Sequence, residues 1–206
     1  MKDINIFCFG FGQVAKNFIK KLIIEKYNIV LTVTSRNKTS KETFNGVKYN
    51  NYLFNSDEFD SNLLVKLKEA DHILVSIPPE KEKDLVVKNF SKFIEDSKVK
   101  WITYLSATSV YGDHKGEWVH EGSEAKPTSP NGIARLKAEN SWLSLQMKKK
   151  LSVQIFRLAG IYSNEKNILA RLKSGTVKHI VKNDHYFSRI HVEDIANILF
   201  KSLSKF

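Results

Sequence analysis

A short apolar run, Ile4–Phe9, opens directly onto Gly10-Phe11-Gly12-Gln13-Val14-Ala15, and Val14, Phe18 and Leu22 follow at four-residue spacing. A strand that ends in G-x-G-x-x-A and begins a helix has few folded solutions. The first glycine permits the tight turn, the second lets a pyrophosphate approach the backbone, and the small alanine lets helix and strand pack closely. Amides at the helix start, with the helix dipole, bind phosphate. Gly10, Gly12, Gln13 and Val14 are therefore the candidate pyrophosphate-binding residues.

The rest of the chain repeats the alternation. Helical stripes are expected over Gln13–Glu25, Ser61–Glu69, Lys81–Phe93, Pro130–Met147 and Val192–Leu203. Apolar or β-branched runs at Ile29–Thr34, Val47–Phe54, Ala70–Ile77, Val99–Leu105 and Val153–Leu158 read as further strands. Apolar strands alternating with helices predict a parallel sheet covered on both faces, and right-handed crossovers then give a doubly wound α/β fold. Such sheets bind ligands beyond the carboxyl ends of their strands, so the residues just after each strand carry the chemistry.

Composition narrows the class. The chain of 206 residues suits one domain, and the hydrophobic fraction of 42% excludes disordered and disulfide-rich classes. The net charge of +11 comes mostly from scattered lysine, whose longest run is Lys148-Lys149-Lys150. That reads as a solvated surface; no zinc-ligand spacing or aromatic-basic motif points to nucleic acid. The single cysteine, Cys8, is expected to be a buried strand residue in a reducing compartment. No apolar stretch is long enough to span a bilayer and no signal-peptide pattern is present, so a cytoplasmic protein with no membrane partner is expected.

The strand ends define the rest of the candidate site. An acidic residue after the second strand would bond the ribose hydroxyls of NAD. The chain has Thr34-Ser35-Arg36-Asn37 there, with no acid and an arginine able to meet a 2′-phosphate. NADP is therefore the favoured cofactor and NAD the less favoured one, with Ser35 and Arg36 at the 2′-phosphate. Ser76, before Pro78-Pro79, is a candidate hydrogen-bond partner on the nicotinamide side.

Further along lie Tyr104-Leu105-Ser106-Ala107-Thr108-Ser109-Val110-Tyr111-Gly112-Asp113, Pro127-Thr128-Ser129-Pro130-Asn131-Gly132, Ala138-Glu139, Phe156-Arg157-Leu158-Ala159-Gly160-Ile161-Tyr162 and Arg189-Ile190-His191-Val192-Glu193-Asp194-Ile195-Ala196. In this order they resemble the extended short-chain dehydrogenase/reductases of the NAD-dependent epimerase/dehydratase type, and the shorter glycine turn resembles the atypical branch. The resemblance covers nearly the whole chain. It implies a Rossmann-like fold, a nicotinamide cofactor, and oxidoreductase or epimerase activity on a sugar nucleotide or similar polar substrate. It also implies that Ser106 lines the nicotinamide side, and that dimers form through helices such as Pro130–Met147.

The departures from that pattern bear on chemistry. The resemblance implies a Ser or Thr, a Tyr acid/base and a Lys at positions that here hold Ala107, Asn131 and Arg135. An amide cannot exchange a proton near neutral pH as a tuned tyrosine can. Arg135 keeps the ability to bond the ribose, and Ser106 or Thr108 replaces Ala107 only in a different strand register. No catalytic residue is assigned. Asp113, His114 and Glu117 are acid/base candidates only if they reach the nicotinamide, and otherwise solvated loop residues; Arg189 is a candidate for an anionic substrate group. His191 and Asp194 are expected to support the final helix. The family's small substrate-binding region normally follows the His191 motif, and it is expected to be largely absent from a chain ending at Phe206. The rival to an enzyme is a cofactor-binding sensor or scaffold that does no redox chemistry.

Overall fold

The computed structural model describes residues 2–80, 83–149, 151–177 and 186–203. The first residues of the helix expected from Lys81, and Lys150 of the lysine run, lie outside them. Strand β1 (Lys2–Phe9) enters helix α1 (Gln13–Ile24), which returns to β2 (Tyr27–Ser35). Then come β3 (Ser40–Phe44), β4 (Val47–Leu53), α2 (Leu63–Glu69), β5 (His72–Val75), α3 (Leu85–Glu95) and β6 (Trp101–Ala107). A short 3₁₀ turn (Thr108–Val110) precedes α4 (Pro130–Lys149) and β7 (Val153–Leu158), followed by β8 (Gly160–Tyr162), α5 (Ile168–Lys173), β9 (Arg189–His191) and α6 (Val192–Ser202).

The main sheet has the order β3-β4-β2-β1-β5-β6-β7. All its pairings are parallel except β3 with β4, an antiparallel hairpin at the edge. The chain reverses direction across the sheet between β1 and β5, the switch point where α/β sheets open a crevice for ligands. The doubly wound α/β fold expected from the alternation is the fold observed.

Strand β1 explains why. Its residues alternate between two cores, so neither face can be polar. Phe7 and Phe9 join Leu63 and Leu67 of α2, Phe90 of α3 and Trp142 of α4 on one face. Ile6 and Cys8 join Phe18 of α1 and Ile195 of α6 on the other. Burial pushes the Cys8 thiol up to about 12, which leaves it an inert small apolar group. Two buried indoles tie α6 to β6 and α4 to α3. Trp101 Nε1 donates to Ser202 Oγ at 3.3 Å, and Trp142 Nε1 donates to Asp84 Oδ2 at 3.1 Å. Asp84 also caps α3 by accepting from the Val86 and Val87 amides.

Several elements differ from the sequence expectation. The hairpin strand β3 is unforeseen, because Ser40–Phe44 is polar on its exposed edge and lacks an apolar run. The small parallel sheet of β8 and β9 joins residues about thirty apart, beyond any local pattern. Helix α5 has no buried residue to leave a stripe. Helix α3 begins at Leu85, four residues later than expected, where Asp84 caps it. Among the described residues no helix is long and apolar enough to cross a membrane.

One half-buried titratable group is expected to make stability pH-dependent. His72 starts β5 against the Trp101 ring, with Nδ1 buried and unpartnered. Burial holds its pKa below the ordinary value of 6.5, and the Lys100 charge acts the same way against that of Asp71. A histidine depressed in the folded state stabilises above its unfolded pKa and loses that stability as pH falls through it. We expect the unfolding midpoint to drop between about pH 7 and pH 5, and His72→Gln to flatten that slope; an unchanged slope would assign the pH dependence elsewhere.

Candidate nucleotide-binding site

The turn after β1 is built by contacts that only glycine allows. Gly10 has φ +86°, and a Cβ there would lie 2.8 Å from Ile77 Cγ2 and 2.9 Å from Ser76 Oγ. Its amide donates to Thr34 Oγ1 at 3.0 Å, which joins the turn to β2. Ser76, from the strand on the other side, donates its hydroxyl to the Phe9 and Gly10 carbonyls at 3.0 and 3.2 Å. Ser76 thus fixes the turn, and its acceptor lone pairs remain for a ligand.

Gly12 is different. Its φ of −81° suits any residue, and a Cβ there would meet nothing within 4 Å. Open space lies in front of its α-carbon, where a pyrophosphate has to approach. Gly12 is also the N-cap of α1 and offers no side-chain cap, so the amides of the first turn, at Gln13 and Val14 among others, keep their donors for a ligand. Ala15 is fully buried beneath them, the close packing its small side chain allows. Gln13 Oε1 is buried without a partner. Uncapped amides, an open approach and an orphaned acceptor fit the dinucleotide that the motif implies.

Beyond β2 the chain forms a cavity of about 280 Å³ lined by Phe11, Lys16, Ser35, Lys38, Glu42 and Asn51, among others. Arg36 stands between the lining residues Ser35 and Asn37 but does not itself line the cavity; it is exposed and without an ion-pair partner among the described residues. Ser35 accepts from Asn51 Nδ2 at 3.0 Å, and its hydroxyl faces the Lys38 carbonyl at 3.4 Å. Lys16 lies 5.8 Å from the centroids of both the Phe11 and Phe44 rings.

Sequence reasoning missed Glu42, because it comes from the unforeseen hairpin. Its carboxylate accepts from Ser40 Oγ at 2.6 Å, Tyr49 Oη at 2.7 Å and Asn51 Nδ2 at 3.2 Å. The Ser40 and Tyr49 bonds hold the carboxyl below the usual carboxylate range. The same bond, after burial, contributes to pushing the Tyr49 phenol up to about 12.

The far side of the crevice is formed by β6 and α4. Ala107 is the last residue of β6, and Asn131 is exposed on the first turn of α4. Ser106 is buried, with its hydroxyl unpartnered. Arg135 donates from Nη1 to the Leu105 carbonyl at 2.8 Å, so it pins α4 to β6. One turn further on, Glu139 is 1% exposed and accepts from Arg157 Nε at 3.1 Å and Nη2 at 2.8 Å. The Arg157 guanidinium lies 4.8 Å over the Tyr111 ring. The sequence motifs hold both partners of this pair, but nothing local announces that they meet.

The loop after Tyr111 is held by its own bonds. His114 Nε2 faces the Tyr111 and Glu124 carbonyls, each at 3.1 Å. Two acceptors require Nε2 to carry the proton, so this nitrogen clamps the loop. Asp113 accepts from the Lys115 amide. At the last helix, His191 is the N-cap residue of α6 and packs edge-on to Tyr162, while Asp194 sits in the first turn, where the helix dipole favours an anion. Arg189 is exposed and stacks over Phe187.

No family model matches the chain, and no curated protein matches it. Solved structures do match. A functionally unknown conserved protein from Silicibacter pomeroyi DSS shares 31% identity over 98% of this chain and 68% of that one, with a TM-score of 0.80. The chain belongs to that protein's family. Members of the NAD-dependent epimerase/dehydratase family share the fold of this one at lower identity. A UDP-N-acetylglucosamine 4-epimerase from Methanobrevibacter ruminantium M1, solved with UDP-N-acetylmuramic acid, is 16% identical over 99% of this chain and 74% of that one, at a TM-score of 0.77. A UDP-glucuronic acid 4-epimerase from Bacillus cereus, solved with UDP-glucuronic acid and NAD, is 14% identical over 97% and 73%, also at 0.77. These likenesses establish the Rossmann-like fold.

Proposed function

We propose that this chain binds a nicotinamide dinucleotide across the switch point between β1 and β5, in the manner of the epimerase/dehydratases, and that its nominal substrate is a sugar nucleotide or similar polar molecule. The observation that carries the reading is the uncapped start of α1 behind an unobstructed Gly12. Gly10, Gly12, Gln13 and Val14 would hold the pyrophosphate, Ser35 and Arg36 a 2′-phosphate, and Ser76, Ser106 and Arg135 the nicotinamide side. The cofactor itself would supply hydride transfer.

NADP is the favoured form in this reading. Lys16 and Lys38 line the cavity, and Arg36 is exposed between its lining residues Ser35 and Asn37; a phosphate dianion rewards such a cluster of cations. Titration with NADPH and NADH, followed by nicotinamide fluorescence and by thermal stabilisation, tests it, since a ligand bound only by the folded state raises its stability by mass action. Arg36→Asp is expected to weaken NADPH at least about tenfold more than NADH; equal losses would remove the 2′-phosphate role.

Ala107 and Asn131 favour a second reading, a cofactor-binding sensor or scaffold without redox turnover. Neither side chain can act as the hydroxyl or phenol acid that proton transfer at a carbinol requires. Hydride transfer to a carbonyl substrate would decide for the enzyme. The proposed dimer would use the outward face of α4, where Leu143 and Met147 are exposed.

A further inference from the structure

We propose that Glu42, on the β3 hairpin, supplies the ribose-reading carboxylate that the end of β2 lacks, and that it opposes Arg36 in choosing between NAD and NADP. The inference rests on the nucleotide-binding reading above and assigns a residue to the discrimination within it.

The geometry places Glu42 where such a residue has to be. It lines the same cavity as Ser35, the last residue of β2. One amide links the two, because Asn51 Nδ2 lies 3.0 Å from Ser35 Oγ and 3.2 Å from Glu42 Oε1. The carboxylate is therefore two hydrogen bonds from the strand end that conventionally carries the acid. It is also held in place. Ser40 and Tyr49 donate to opposite oxygens, and the turn at Asn45-Gly46 closes the hairpin that carries it. An exposed carboxylate on a free side chain would swing away; this one is fixed by three donors, and lone pairs remain for a ribose hydroxyl.

The chemistry follows from charge. The 2′-hydroxyl of NAD is a donor and can be accepted by Glu42. The 2′-phosphate of NADP is an acceptor with about two negative charges, and a carboxylate across the same cavity repels it. Arg36, Lys16 and Lys38 attract the phosphate. The balance between these two sets fixes the cofactor, and discrimination arises from the repulsive element as much as the attractive one.

The test is a binding titration of the folded chain with NADPH and NADH. Glu42→Gln is nearly isosteric and keeps one acceptor oxygen. It is expected to shift the ratio of the two dissociation constants toward NADPH by about tenfold, and Glu42→Lys to shift it further. Glu25→Gln removes the same charge from the far end of α1 and is expected to leave the ratio unchanged. A ratio unmoved in both Glu42 variants, or moved equally by Glu25→Gln, overturns the role of Glu42 while leaving nucleotide binding intact. Wild-type protein that binds neither nucleotide overturns the nucleotide reading, and this inference with it.

Discussion

Gly12→Val is expected to fold with the stability of the parent chain and to lose nucleotide affinity by at least about 100-fold, some 2.7 kcal/mol. The two halves of that expectation have separate causes. The backbone at Gly12 is in a region open to any residue and a built Cβ touches nothing, so the folded chain meets no clash. The added branches would fill the approach to the amides of Gln13 and Val14, which a pyrophosphate has to reach within hydrogen-bond distance. Thermal unfolding and NADPH titration measure the two halves independently. Gly10→Ala is the contrast, because φ +86° and the contacts at 2.8 and 2.9 Å make it a stability lesion first. Retained affinity in Gly12→Val would move the phosphate site away from α1.

Arg157→Met is expected to cost about 3–5 kcal/mol of stability, the range for breaking a buried ion pair from one side. Glu139 is 1% exposed, and Arg157 is the cation that neutralises it. Removing the guanidinium leaves a carboxylate without water or countercharge, and Tyr111 loses its stacking partner. The double variant Glu139→Met with Arg157→Met removes the orphaned charge as well and is expected to recover most of the loss. Denaturant midpoints for the two singles and the double form the required cycle. A loss under about 1 kcal/mol in Arg157→Met would mean that the pair behaves as a surface one.

Much of this was legible from residue order alone. The pairing of β1 with a glycine turn and a striped helix is written in twenty consecutive residues, since turn conformation and helical period are local properties. The apolar runs announced strands buried on both faces, and Ile6, Phe7, Cys8 and Phe9 are fully buried between two layers of helices. The expectation that Ala107, Asn131 and Arg135 stand in place of a Ser or Thr, a Tyr and a Lys rests on a motif in the right order. Other residues resisted. Residue types leave Asp113, His114 and Glu117 open as acid/base groups or as solvated loop residues, and the ring of His114 sits between two carbonyls of its own loop. The place of Ser76 after a strand makes it a ligand-partner candidate, and its proton is already given to the turn it faces, 66 and 67 residues away.

Residue order carried the layers of this protein and the place of its glycine turn, and it set the expectation that Ala107, Asn131 and Arg135 stand where proton-transfer residues are usual, because each follows from neighbours along the chain. The packing of whole elements brings Glu42 to the cavity beside Ser35, sets Arg157 against Glu139, and has Arg135 donate to the backbone of β6. Those contacts join residues 7 to 30 positions apart through a hairpin, a strand pairing and a helix docked on a sheet. Their partners are chosen by where whole elements come to rest, and no local pattern of residue types encodes that position.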